Sequence, residues 1–138
     1  MRLRRDRKVE AIANVPLFAG CSRRELQRIA SLADGVDLPK GHLLTRQGDV
    51  GREFFVLLEG SADVVRNGRR VATLGPGDFF GELALITRRP RNASITARTP
   101  VSVLALVDRD FRQLLDEWPP IQGKILAALA DRLPAEKI

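Results

Sequence analysis

Apolar residues recur at Val9, Ile12 and Ala13 between Asp6 and Asn14, a helical spacing that stops at Pro16 and predicts a short entry helix. Ser22-Arg23-Arg24-Glu25 has the form of a capping box, and Leu26, Ile29, Ala30 and Ala33 follow at i, i+3, i+4 and i+7, so a second, amphipathic helix is expected here. After Asp34-Gly35 the pattern changes to short apolar runs: Val36–Leu38, Leu43–Thr45, Phe54–Leu58, Ala62–Arg66, Val71–Leu74, Ala93–Ala97 and Val101–Val107. Turn-forming residues separate them at Pro39-Lys40-Gly41, Gly48-Asp49, Glu59-Gly60, Asn67-Gly68, Gly75-Pro76-Gly77 and Thr99-Pro100. Strands this short and this regularly spaced predict a β sandwich, barrel or roll. Asn67-Gly68 is the strongest hairpin signal, because both residues tolerate positive φ. Helical spacing returns at the end of the chain. Asp108 is placed to cap a helix through Phe111, Leu114 and Leu115, and Trp118-Pro119-Pro120 interrupts it. A last helix is expected from about Pro120 to Leu133, with Ile121, Ile125, Leu129 and Leu133 spaced by four and Pro134 closing it.

Composition narrows the class. The 138 residues, 44% hydrophobic and 29% charged, fit one globular domain with a core and leave no room for a second. No apolar stretch reaches the roughly 18 residues of a membrane span, and MRLRRDRK leads into no apolar signal core, so a soluble, cytoplasmic protein is expected. One cysteine, Cys21, and one histidine, His42, supply neither an internal disulfide nor a structural metal site. The net charge of +6 is concentrated at the start: residues 1–8 carry five basic side chains against Asp6, and everything after Lys8 sums to +2. Residues 1–8 therefore read as a basic arm, most simply a solvated tail, ahead of one folded unit over 9–138.

The candidate chemistry lies in a strand-poor interval within the β region, Phe79-Phe80-Gly81-Glu82-Leu83-Ala84-Leu85-Ile86-Thr87, followed by Arg88-Arg89-Pro90-Arg91-Asn92-Ala93-Ser94. A short helix beginning at Gly81 would present unpaired amides and partial positive charge to an anion. Arg91, nine residues after Glu82, adds a planar guanidinium fork suited to two phosphate oxygens, and Asn92 and Ala93 can add backbone N–H groups. Glu82 beside a phosphate is tolerable only if it accepts hydrogen bonds from sugar hydroxyls or pairs with an arginine. Anion, sugar and apolar base together describe a nucleotide. Arg88 and Arg89 read as surface residues, since they lack the position of Arg91 at the Asn-Ala-Ser strand entry. Gly41, Gly60, Gly75 and Gly77 read as turn glycines, His42 as a turn residue, and Trp118, Leu129 and Leu133 as packing residues.

These segments resemble the cyclic nucleotide-binding domain shared by protein kinase A regulatory subunits, catabolite activator protein and cyclic-nucleotide-gated channels. The resemblance spans roughly Val15 to Leu133. It rests on Pro39-Lys40-Gly41 with Gly48-Asp49, on Phe54–Gly60, on Leu74–Asp78, and most strongly on Phe80–Leu85 (FGELAL) followed by Pro90–Ser94 (PRNAS), which match the family's phosphate-binding cassette. It implies a mainly β fold with flanking helices: an eight-stranded, jelly-roll-like β-roll with N-terminal helices and a C-terminal hinge plus lid helix. By the same resemblance, Arg91 would pair with the phosphate and Glu82 would accept from the ribose 2′-hydroxyl. Backbone groups of Gly81, Leu83, Ala84, Asn92 and Ala93 would complete the cradle. Val64, Ala72, Leu74, Phe80 and Leu83 are assigned to the base pocket, and Arg132 falls where some members place a lid residue over the purine. A common cGMP signature, threonine directly after the cassette arginine, is replaced by Asn92, which favours cAMP; asparagine can also hydrogen-bond guanine, so cGMP stays open.

The function expected is a non-catalytic sensor with no cofactor beyond its ligand. It would bind cAMP, close a helix over it and signal to an effector protein or an attached output domain. A transcription regulator of the catabolite activator type needs two further helices for a nucleic-acid reader, and five residues follow Leu133, so that alternative requires the chain to be a fragment. An enzyme acting on cyclic nucleotides, or a metal-dependent cupin, would need a cluster of ligating side chains that one histidine does not supply.

Overall fold

The computed structural model describes residues 5–81, 89–124 and 127. Helix α1 (Arg5–Ala13), a 3-10 turn (Pro16–Phe18) and helix α2 (Arg23–Leu32) precede eight strands: β1 (Asp34–Leu38), β2 (Leu43–Thr45), β3 (Glu53–Glu59), β4 (Ala62–Arg66), β5 (Arg69–Leu74), β6 (Phe79–Phe80), β7 (Ser94–Ala97) and β8 (Val101–Val107). Helix α3 (Asp108–Glu117) comes next, and the chain is helical again over 119–124. The strands form two four-stranded antiparallel sheets, ordered β1-β8-β3-β6 and β2-β7-β4-β5. This is the eight-stranded roll with flanking helices that the sequence leads one to expect.

The first sheet has no solvent face at its centre. Strands β3 and β8 alternate between two cores: Phe54, Val56, Leu104 and Leu106 pack toward the helices, while Phe55, Leu57, Val103 and Ala105 pack toward the second sheet. A strand buried on both sides reads as a continuous apolar run, which accounts for FFVLL and VLAL. The helical core is closed by Val9 and Ile12 of α1, Leu26, Ile29 and Ala30 of α2, and Phe111 and Leu114 of α3. The Phe111 ring stacks on Phe54 with centroids 4.7 Å apart.

Local chemistry explains the helix positions. The Ser22 hydroxyl accepts from the Glu25 N–H, and the Glu25 carboxylate accepts from the Ser22 N–H, completing the expected capping box of α2. At the other end of α2 the Lys8 ammonium donates to the Ala30 and Ala33 carbonyls, at 3.1 and 2.8 Å, a cation placed where the helix dipole is negative. Residues 5–8, grouped with the basic arm by their charge, thus belong to α1. On the surface, Arg28 of α2 grips Glu117 of α3 through two 3.1 Å hydrogen bonds. That hydrogen bonding lowers the Glu117 carboxyl below its ordinary range against a smaller opposing effect of desolvation. What the pair adds to stability is therefore present above the usual glutamate range and fades as pH falls through the lowered value.

Some boundaries differ from the sequence reading. Phe79–Phe80, inside the interval read as strand-poor, pairs with β3 as strand β6; two residues are too few to show an alternation. Asp34-Gly35 is part of β1 rather than a break before it, with Gly35 opposite Leu104. β5 begins at Arg69, two residues before the apolar run, and β7 at Ser94. Asp108 does not cap α3: Val107 occupies the cap position with no side-chain hydrogen bond, and the Asp108 carboxylate accepts instead from Arg112 Nε, one turn on, at 2.8 Å. The Asn67-Gly68 hairpin forms as expected, with both residues at positive φ, +53° and +78°. Of the expected last helix, Ile125, Leu129 and Leu133 lie outside the described residues.

Removing the ring that joins α3 to β3 should open a cavity in the helical core. Phe111→Ala is expected to lower stability by about 3–5 kcal/mol, the usual cost of truncating a buried phenylalanine, in urea unfolding followed by circular dichroism. A loss below about 1 kcal/mol would show that α3 is not docked through this residue.

Candidate functional site

Arg91 is the buried charge of the described residues: 8% exposed, it shares burial among polar side chains only with Thr45. Taking a guanidinium out of water is costly unless its N–H groups find acceptors. Here Nη2 donates to the Glu53 carbonyl at 2.6 Å and Nη1 to the Gly81 carbonyl at 3.1 Å. Glu53 opens β3 and Gly81 follows β6, so the fork is oriented by the ends of two neighbouring strands of the first sheet. The Arg91 main chain is fixed as well. Its N–H donates to the Asp49 carbonyl, and its carbonyl accepts from the Gly48 N–H, both at 2.8 Å.

Gly81 is required by this arrangement. Its φ is +96°, and a Cβ built there would stand 2.5 Å from Arg91 Nη1 and 2.7 Å from the Glu53 carbonyl oxygen. No L side chain fits without displacing the arginine or the strand.

The residues after Arg91 are stitched to two loops. Thr45 Oγ1 donates to the Ala93 carbonyl at 3.3 Å, the Gln47 N–H donates to Ser94 Oγ at 2.9 Å, and Arg66 Nε donates to the Asn92 carbonyl at 3.1 Å. The Gln47 side chain in turn donates to Asn67 Oδ1 and accepts from the Asn67 N–H, each at 2.8 Å. The loop after β2, the tip of the β4–β5 hairpin and segment 89–94 thereby form one rigid end of the roll.

Several residues singled out in the sequence meet at this end. Arg91 and Ala93 are buried there, Asn92 is exposed, and Gly81 is half-buried. Phe80 lies in the inter-sheet core, stacked on Phe55 with centroids 5.0 Å apart, and half-buried Val64 and Leu74 border the same cluster. Ala72 pairs directly with Val64, shares its face and is exposed. Glu82, Leu83, Ala84 and Arg132 lie outside the described residues. Sequence reasoning missed Glu53, Asp49, Gln47, Thr45 and Arg66. All five act through main-chain groups or through bonds to main chain that leave no side-chain pattern, and only the Gly48-Asp49 turn signal pointed to the loop.

Other features stand apart from this end. A cavity of about 250 Å³ lined by Asn14, Val15, Leu58, Glu59, Gly77 and Ser102 lies at the opposite end of β3 from Glu53. The Cys21 thiol is pushed up to about 12 by burial and, secondarily, by Glu25, so it stays protonated and a poor nucleophile. Among the described residues no group of three or more His, Cys, Asp or Glu side chains could hold a metal ion, and no helix is long and apolar enough to cross a membrane.

The comparison with known sequences fits this geometry. The sequence model of the cyclic nucleotide-binding domain matches residues 36–117, from β1 through α3. The chain belongs to that family. A cAMP-dependent protein kinase regulatory subunit of Aspergillus niger is 40% identical over 114 residues, 80% of this chain and 28% of that protein. A cyclic nucleotide-gated potassium channel of Mesorhizobium japonicum is 37% identical over 115 residues, 83% of this chain and 32% of the channel. The chain thus spans about a quarter to a third of the curated relatives it matches. Among solved structures, the Thermus thermophilus catabolite activator protein superposes with a TM-score of 0.79 at 31% identity, covering 88% of this chain and 60% of that one.

Gly81→Ala tests the close approach. It is expected to destabilise the domain by about 1–3 kcal/mol through backbone strain and displacement of Arg91, read as a lowered midpoint in thermal unfolding. An unchanged midpoint would mean that the Gly81 carbonyl does not hold Arg91 in place.

Proposed function

We propose that this cyclic nucleotide-binding domain is a non-catalytic sensor that takes cAMP in preference to cGMP and reports its occupancy to an effector protein or an attached output domain. The observation that carries the reading is Arg91: a buried guanidinium whose fork is oriented by the Glu53 and Gly81 carbonyls, in the segment that matches the family's phosphate-binding cassette. A planar fork fixed in this way suits two oxygens of a cyclic phosphate. The backbone of Asn92 and Ala93 stands beside it. Glu82 for the ribose hydroxyl, Leu83 and Ala84 for the cradle and Arg132 for the purine come from the resemblance. Val64, Leu74, Phe80 and Ala72 supply the apolar side toward the base.

A sensor needs an element that moves. Helix α3 rests on β3, the strand that carries Glu53, so ligand and helices share one support. The preference for cAMP rests on Asn92, and the kinase regulatory subunit named above, whose name describes a cAMP-dependent kinase, supports it. A cytoplasmic setting agrees with the one unpaired cysteine.

Calorimetric titration with cAMP and cGMP tests the reading. Arg91→Gln should weaken cAMP binding by roughly 30-fold to several thousandfold, the ~2–5 kcal/mol expected when one partner of a buried charged contact is removed. Exposed Arg89→Gln should change it by no more than a few fold. Equal small effects at both positions, with folding intact by circular dichroism, would overturn the assignment of Arg91 to the phosphate. Tighter binding of cGMP than of cAMP would reverse the reading of Asn92.

A further inference from the structure

Among the described residues the charges of the roll are unevenly placed, with an excess of guanidiniums at the end that holds Arg91. Along β4, Ala62 is buried and Val64 half-buried against the inter-sheet core, so Arg66, two residues further, is on the same face. It leans on the Asn92 carbonyl. Arg69 stands exposed across the Asn67-Gly68 turn. Arg46 is exposed next to Gln47, which is tied both to Asn67 and to Ser94. Arg66 thus touches segment 91–94 directly, while Arg46 and Arg69 flank the Gln47 and Asn67 ties that join it to the neighbouring loops; Asp49 and Glu53 are the acidic residues whose main chains hold Arg91. Arg70 differs: it faces Asp63 at 4.0 Å, a carboxylate that it shares with Arg98 at 3.9 Å, so it is partly paired on the flank of the hairpin. At the other end of the roll the balance reverses, with Asp37, Glu59 and Asp78 against Lys40 and Arg98.

We propose that Arg46, Arg66 and Arg69 form an electrostatic collar that draws the anionic cyclic nucleotide to Arg91 and so sets its association rate, while dissociation is governed by the residues in contact with the bound ligand. The proposal rests on the reading of Arg91 as the phosphate contact. A cyclic phosphodiester carries one negative charge, and a surface patch of one sign around a recess raises the local concentration and on-rate of an ion of opposite sign. Arg46 and Arg69 are exposed and Arg66 is half-buried, so salt must screen the collar; at physiological ionic strength the field already decays over about 8 Å. A charge-neutral mode of capture would show no such dependence.

Stopped-flow binding of a fluorescent cAMP analogue, from low to near-molar sodium chloride, tests the collar. Arg46→Gln/Arg69→Gln removes two exposed charges that take no part in the hydrogen bonds holding Arg91. At low salt its association rate should fall about threefold or more, with the dissociation rate held within about twofold, and the two proteins should converge at high salt. Lys40→Gln/Arg98→Gln removes the same charge from the far end and should leave the rate near wild type; Arg46→Lys/Arg69→Lys should restore it. Equal association rates and salt slopes in the wild type and the collar variant would overturn the collar, as would an equal loss in the far-end variant. A wild type that binds the analogue at a salt-independent rate overturns the collar and leaves the reading of Arg91 standing. A wild type with no measurable binding overturns both.

Discussion

The structure depends on one strand being buried on both faces. β3 gives alternate side chains to two cores, and a slip of one residue would exchange them, sending Phe54 and Val56 into the space between the sheets and Phe55 and Leu57 among the helices. Each core is filled by partners of matching shape: Phe54 lies between Phe79 and Phe111, and Phe55 stacks on Phe80. Register is therefore held from both sides at once. The same constraint fixes the site, because Glu53, whose carbonyl holds Arg91, is the residue immediately before Phe54. A one-residue shift would move that carbonyl by about 3.3 Å, further than a hydrogen bond can stretch.

Arg91 is held mainly by main chain. Carbonyl groups at Glu53 and Gly81 direct the fork, and paired amide bonds to Gly48 and Asp49 fix the backbone behind it. Such a frame is stiff, since carbonyls at strand ends cannot rotate as side chains do, and the fork is oriented in advance of any contact it makes. It also makes the frame sensitive to backbone geometry. Gly81 is the point where this shows, because positive φ and the contact with Arg91 exclude any side chain at one position.

How far the sequence disclosed this depends on where the information resides. Side-chain patterns were legible: the Ser22 and Glu25 capping box, the Asn67-Gly68 hairpin, the Phe54–Leu58 strand and the Arg91 segment all carry chemistry in residue identity, whereas burial of that strand on both faces emerged only from the fold. The resemblance supplied the eighth strand that periodicity could not, since Phe79–Phe80 is too short to alternate. Asp108 misled because an aspartate ahead of an apolar run has the same pattern whether it caps the helix or enters its first turn, and the nearby Arg112 decides for the second. The roles of Glu53 and Asp49 at the site were invisible, for a carbonyl is the same in every residue. Arg66 was read simply as the end of a strand; its place on the inner face becomes clear only when β4 is set beside β7 and the Asn92 carbonyl.

The helical layer shows where such a rigid body can yield. α3 is fastened by buried packing, through Phe111 and Leu114, and the exposed Arg28 and Glu117 pair adds little to that. At Trp118 the backbone leaves helical dihedrals, with φ −136° and ψ 83°, since a residue before proline is pushed away from the α region. Pro119 and Pro120 have no N–H to lose, so bending here breaks no helical hydrogen bond that they would donate. Among the described residues beyond the break, Ile121 sits in the core, its N–H donates to the Trp118 carbonyl, Gln122 donates to the Leu115 carbonyl, and Lys124 donates to the Ala19 carbonyl and lies over the Trp118 ring. Moving the helical turn at 119–124 would exchange those few contacts and leave the Phe54 and Phe111 stack untouched. The break at Trp118 therefore lies between a helix locked to the strand that holds Arg91 and a turn held by fewer contacts among the described residues, and any ligand that shifts such a joint must make contacts that differ between two arrangements of it.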